Sequence, residues 1–270
     1  MVVDFHTHIF PEAIAERTIR ALEARSGMRA YTDGTLDGLL AAMQANGIDL
    51  SVILPVVTKP SQWESVNTFA QKVNERYAGK LLSFGGIHPD SPDYKRELDG
   101  IKARGLCGIK LHPDYQGVMI DDERYLRIIA YADELGLIVI THAGVDIGLP
   151  EPVHCPPERL RRVLREVKPK RFVAAHYGGW RQWEAVYEQL AGEDVYLDTS
   201  CTAGHLEPEL FLRILKKHDE NKILFATDSP WGDGGRGIAA LKQLDLPETV
   251  LEKILSGNAK RLLQWKEQEK

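Results

Sequence analysis

Short apolar runs alternate along this chain with longer stretches of helical periodicity. The apolar, β-rich runs read MVVDF, LSVILPVV, KLLSFGGI, CGIKL, GLIVIT, KRFVAA, DVYLDT and NKILFAT. Between them lie amphipathic stretches such as TLDGLLAAMQANG, WESVNTFAQKVNERYAG, DDERYLRIIAYADELG and PPERLRRVLREV. The glycine of DELG, just before LIVITH, suits the left-handed cap that often ends a helix. Eight strands alternating with helices predict a parallel sheet, and eight is the number that closes a barrel. The expected fold is therefore α/β, a (β/α)8 TIM barrel spanning residues 1–270 as a single domain. An open, doubly wound sheet is the alternative, but no G-x-G-x-x-G follows the first run. No low-complexity segment, linker or composition break divides the chain.

Polar residues punctuate the runs in one phase. His6, His88, His112, His142, His176 and Asp228 each fall at or just beyond the carboxyl end of an apolar run. In a barrel those ends open on one face, where barrel enzymes keep their chemistry. Any one of these residues is ordinarily a cap or loop residue; the whole set in that phase is not explained so. The first run leads into FHTH, and in a strand His6 and His8 point to the same side. Taken alone, the pair fits a solvated surface strand as well as half of a metal site. A buried cluster of imidazoles without a cation would leave several polar groups unsatisfied, and this favours the metal.

Composition narrows the setting. The length suits one α/β barrel, typically about 250 residues. A hydrophobic fraction of 43% and a charged fraction of 27% describe an ordinary soluble globular protein. No run approaches the roughly 18 apolar residues of a membrane span, and no basic segment followed by an apolar core opens the chain. A net charge of −5 argues against nucleic acid as a partner, yet allows a small anionic substrate. Cys107, Cys155 and Cys201 show no CxxC spacing and cannot all pair, so a reducing cytoplasm is the expected location. A homo-oligomer is compatible with all of this.

The motifs DFHTH, THAG, AHYGGW, LDTS and FATDSPWG, in that order at the ends of strands 1, 5, 6, 7 and 8, resemble the amidohydrolase superfamily. More narrowly they resemble its amidohydrolase-2 branch of hydrolases and metal-dependent decarboxylases, among them aminocarboxymuconate semialdehyde decarboxylase. The resemblance implies a metallo-dependent hydrolase type of barrel in which His6, His8, His142 and Asp228 bind one divalent metal, first of all zinc. Manganese, iron or nickel would suit the same ligands, and three imidazoles with a carboxylate leave room for water. Such a metal lowers the pKa of bound water to about 7. Asp228 has a second expected role in taking that water's proton, and His176 in positioning or protonating substrate and water.

The fourth run holds an ambiguity. Lys110 and His112 share a strand face and both point toward the site. Relatives with two metals often place a glutamate or a carboxylated lysine there, so a carbamylated Lys110 would bring a second metal. An unmodified Lys110 would instead be a cation for a substrate carboxylate, with His112 also binding substrate. Trp180, Trp231, Tyr115 and Arg181 follow strand ends and are expected to line an aromatic or anionic pocket. Cys201 reads as a small buried residue without an adjacent base. His154, His205 and His218 lie in loop or helical patterns and carry no expected role.

The expected function is hydrolysis of an amide, ester or lactone of a small carboxylated molecule by a metal-dependent hydrolase. Its rival is metal-dependent nonoxidative decarboxylation of an aromatic or unsaturated acid, which uses the same ligand ring. A TatD-type deoxyribonuclease also opens with His-x-His, but Lys110 and the acidic net charge count against it. The polymerase-and-histidinol-phosphatase family shares the opening and fits THAG and TDSPWG less well. A non-enzymatic barrel that keeps metal for stability is opposed by the proton-transfer candidates.

Overall fold

The computed structural model describes residues 1–265. Among them run β1 (Val3–Thr7), β2 (Leu50–Ile53), β3 (Leu81–Ser83), β4 (Gly85–Gly86), β5 (Gly108–Leu111), β6 (Ile138–Thr141), β7 (Phe172–Ala174), β8 (Tyr196–Asp198) and β9 (Ile223–Leu224). Only Phe84 separates β3 from β4, so the nine strands make eight staves. Neighbours pair in parallel, β1-β2-β3 in one sheet and β4 through β9 in the other. The last stave meets the first: Phe5 N donates to Phe225 O at 2.9 Å, Asp228 N to His6 O at 2.8 Å, and His8 N to Ser229 O at 2.6 Å. These bonds close a (β/α)8 barrel, as the alternation of runs predicts.

Apolar residues on both strand faces explain the runs. Val3, Phe5, Val52, Ile138, Ile140 and Leu224 belong to one buried cluster. Ile53, Ile109, Leu111, Val139, Phe172 and Phe225 belong to a second, which packs the sheet against the helices. A Cβ on Gly108 would lie 2.5 Å from the Phe84 ring, so the glycine makes room for that phenyl group. The helix Glu123–Glu134 shows how the outer layer forms. The Asp122 side chain caps it by accepting from Arg124 N, and Tyr125, Ile128, Ile129 and Ala132 recur on its buried face. Burying an isoleucine contributes about 1.5–3 kcal/mol. The closing helix Asn258–Leu263 ties itself to the sheet through Asn258, whose Nδ2 donates to Ile223 O at 2.7 Å and Glu220 O at 2.8 Å. Among the described residues, no helix is long and apolar enough to cross a membrane.

Candidate metal centre

The alternation that buries Ile138 and Ile140 carries on to His142, and the one that buries Leu224 and Ala226 carries on to Asp228. Asp198 ends β8, and Lys110 lies within β5. His6, His8, Lys110, His112, His142, His176 and Asp228 thus line one cavity of about 720 Å³ at the strand ends. Three of its residues, His176, Cys201 and Asp228, have φ of 57°, 56° and 68°. Left-handed backbone at non-glycine residues costs of order 1–3 kcal/mol each and is often found at functional sites. Gly144 (φ 85°) answers a different need, because a Cβ there would sit 2.1 Å from Trp180 N. By contrast, Gly178 and Gly179 of HYGGW face Val186, Leu197 and Pro157, so their space is taken by packing.

The imidazoles are aimed from behind. His8 Nδ1 donates to Leu54 O at 2.7 Å, which leaves its Nε2 as a lone pair. His6 Nδ1 lies 2.9 Å from Asp198 Oδ2, and a carboxylate only accepts, so His6 also presents a bare Nε2. The two Nε2 atoms are 3.1 Å apart, and each is 3.2 Å from Asp228 Oδ1. Three acceptors on one point fit a cation. The other oxygen of Asp198 accepts from His176 N and Ser200 N, both at 3.0 Å, and from the Ser200 hydroxyl. Ser200 Oγ, its proton so committed, accepts from His176 Nδ1 at 2.9 Å. His176 therefore turns a bare Nε2 toward His142 Nδ1, 3.0 Å away.

Charge and burial compete at this point. Burial raises the Asp228 carboxyl, but His6, His8 and His176 outweigh it and hold Asp228 below the usual carboxylate range. Burial pushes His6 well below its ordinary value, helped by the Lys110 charge. Lys110 is itself lowered to about 8 by burial, although Asp228 and Asp198 favour its ammonium form. Its Nζ donates to His6 Nε2 at 3.0 Å.

Of the four expected metal ligands, His6, His8 and Asp228 bring donor atoms within 4.8 Å of one another. His142 stands one ring further round, touching His176 and grouped with His112 and Asp146; His176, Cys201 and Asp228 form a third such group. His112 stacks between Tyr115 (4.0 Å) and His142 (4.5 Å), with its Nε2 3.7 Å from Asp146 Oδ2. Gln116 holds it, accepting from His112 N while donating to Val57 O and Ile87 O. Burial raises Asp146 to about 6. Trp180, Trp231 and Tyr115 line the cavity as expected. Arg181 does not: it is exposed and absent from the cavity wall, because its left-handed backbone follows the turn that buries Trp180. Cys201 is more than filler, since it lines the cavity with Sγ 3.3 Å from Asp228 Oδ2. His88 accepts from Asp90 N and organises its own loop.

The residues that sequence reasoning missed are Asp198, Ser200, Asp114, Asp146 and Gln116. Asp198 and Ser200 lie inside LDTS, a motif with the right phase, so their strand-end position was the signal that could have found them.

No curated protein sequence matches this chain significantly. Solved structures share its fold. The 5-carboxyvanillate decarboxylase LigW from Sphingomonas paucimobilis superposes with a TM-score of 0.71 at 14% identity, over 98% of this chain and 99% of that one. A dihydroxybenzoic acid decarboxylase from Polaromonas sp. JS666, with bound manganese and the inhibitor 2-nitroresorcinol, gives 0.73 at 15% identity over 97% and 96%. An uncharacterised TIM-barrel protein from Bordetella bronchiseptica gives 0.75 at 20% identity over 97% and 98%. A family model described as amidohydrolase matches residues 3–265, and with the strand-end histidines and Asp228 it places this chain in the amidohydrolase family.

Proposed function

We propose that the protein is a metal-dependent decarboxylase of a small aromatic or unsaturated carboxylic acid, with His6, His8, His142 and Asp228 as ligands of one divalent cation. The observation that carries this reading is Lys110, a buried ammonium 3.0 Å from His6 Nε2 beside the converging acceptors. A cation there disfavours a second metal and calls for an intervening anion, which a substrate carboxylate supplies. The decarboxylases of aromatic acids among the similar folds support the same order of preference, although sequence reasoning placed hydrolysis first. The donor set suits zinc, and the manganese in the Polaromonas neighbour makes that metal an equal candidate. When bound, the metal supplies Lewis-acid charge for the substrate's oxygens. Free thiols at Cys107, Cys155 and Cys201 fit a cytoplasmic location.

The chain's own residues divide the work. Lys110 neutralises the carboxylate, while Trp180, Trp231 and Tyr115 provide flat walls for an unsaturated ring. As the carbon–carbon bond breaks, its electron pair stays on the ring carbon, carbon dioxide leaves, and a proton replaces it. His176, fixed by Ser200, and the outer oxygen of Asp228 are the groups that hold and deliver that proton. A second reading, hydrolysis, is favoured by the same outer oxygen, which is placed to act as a general base. Metal-loaded protein incubated with panels of aromatic acids and of esters, lactones and amides decides between them. Carbon dioxide release that stops on chelation supports decarboxylation; hydrolysis products without carbon dioxide would reject it.

A further inference from the structure

Two of the metal-directed imidazoles have their remote nitrogen tied down, His6 to Asp198 and His8 to Leu54 O. His142 is the exception. Its Nε2 is buried and has no partner, and 3.8 Å away lies Asp114 Oδ2, also buried and without a partner. Both atoms are shielded from bulk solvent. Asp114 is firmly placed by its other oxygen, which accepts from His154 N at 3.1 Å and His154 Nδ1 at 3.0 Å. A buried carboxylate oxygen facing a buried ring nitrogen at this separation is one small ring rotation from a charge-assisted hydrogen bond.

We infer that Asp114 is a positioning residue that receives the His142 Nε2–H and thereby makes His142 Nδ1 the metal-facing nitrogen, with His154 anchoring Asp114 from behind. The inference rests on the metal reading above. It gives each of the three imidazole ligands an acceptor on its outer nitrogen, the arrangement metal-bound histidines almost always adopt. It also accounts for the 3.0 Å approach of His142 Nδ1 to His176 Nε2. His176 Nε2 is bare because of Ser200, so a bare His142 Nδ1 adds one more acceptor to a cluster that already calls for a cation. His154, which lies in a loop pattern without an obvious task, becomes the outermost member of a chain running His154, Asp114, His142.

The test uses the whole protein loaded with cobalt(II) and labelled with ¹⁵N in its histidine rings. The expected wild-type spectrum has His142 protonated at Nε2, its proton slow to exchange, and one cobalt per chain. Asp114→Asn should weaken cobalt binding by about 10–100-fold and make the His142 ring proton exchange fast, with the His6 and His8 ring protons unchanged. His154→Gln, which leaves the carboxylate in place, should shift the same signal in smaller measure and serves if the Asp114 variant does not fold. Wild-type His142 protonated at Nδ1, or an Asp114→Asn protein with unaltered affinity and spectrum, would overturn the inference. So would two cobalt ions per chain of which one is lost in His112→Gln, because His142 would then serve a second cation with His112 and Asp146. Wild-type protein that binds no cobalt would bring down the metal reading itself; cobalt bound through His6 and His8 with His142 signals unshifted would remove His142 from the ligand set, and this inference with it, while leaving a metal on the other three.

Discussion

The two halves of the strand-end ring differ in how completely their polar atoms are paired. On the side of β1, β7 and β8, His6, Asp198, Ser200 and His176 form a continuous hydrogen-bonded net, and His8 is tied separately to Leu54 O. On the side of β5 and β6, His112 Nδ1, His142 Nε2, Asp114 Oδ2 and Asp146 Oδ1 are buried without partners. Burial of a polar atom without a hydrogen bond costs about 1–3 kcal/mol, so the outer ring nitrogens of the second half carry a penalty that those of the first, tied to Asp198, Leu54 O and Ser200, do not. The lesson is one of division: the first half already fixes which nitrogen of each ring faces the cavity, while in the second the rings have carboxylates close by but not yet bonded to them.

The comparison breaks most sharply at Asp228, whose two oxygens face His6 and His8 on one side and Cys201 on the other. Asp228→Asn keeps the shape and removes the charge and the proton acceptor. Turnover should fall by about 10²–10⁴-fold, read from initial rates at matched metal content. A variant with near-native turnover would remove the proton-transfer role.

Asp198→Asn strikes the centre of the paired half. It leaves the His6 and His176 contacts with a neutral acceptor, and metal affinity should drop by about 10–100-fold, measured by competition with a chelator. An unchanged affinity would show that Leu54 O and Asp228 alone suffice to aim the rings.

Lys110→Met separates the metal from the substrate. With one hydrogen-bonded charge removed, worth about 1.5 kcal/mol or roughly tenfold, KM should rise while the metal stays bound. Loss of metal along with activity, restored by metal plus a small carboxylate, would instead favour a carbamylated lysine.

The smallest expected effect lies outside the ring and serves as its control. His218 is buried and paired at both nitrogens, accepting from Gly192 N at 3.1 Å and donating to Val195 O at 2.9 Å. Burial lowers its pKa from the ordinary 6.5, so below about pH 6.5 the unfolded chain binds a proton that the folded chain refuses. The stability it contributes is full above that pH and declines as pH falls, by at most about 1.4 kcal/mol per pH unit. His218→Gln should flatten the loss of urea resistance between about pH 6.5 and 5 by that single group's share. An equal slope in both proteins would mean that His218 takes its proton in the folded state too.

Much of this was legible in the sequence, for physical reasons that also mark the boundary. A strand repeats every two residues, so the apolar runs announce both the staves and the phase in which His6, His142 and Asp228 reach the cavity. Which nitrogen each ring presents depends on partners far along the chain: Asp198 lies 192 positions from His6. No local period encodes such a pair. Arg181 shows the opposite failure, since it follows a strand end as Trp180 does, yet one left-handed residue turns it outward. Asp114 and Gln116 hide in a short helix after β5 whose purpose appears only when the neighbouring strands are in place.

The seam between β1 and β9 bears on how the protein is made. His6 and His8 are synthesised before Asp228, whose amide bonds back to His6 O across more than 200 positions of chain. Until then the two histidines have neither their carboxylate nor the stave that closes their side of the barrel. No amino-terminal fragment stopping before residue 228 can bring His6, His8 and Asp228 together, so the acceptors converge only once the closing stave is in place.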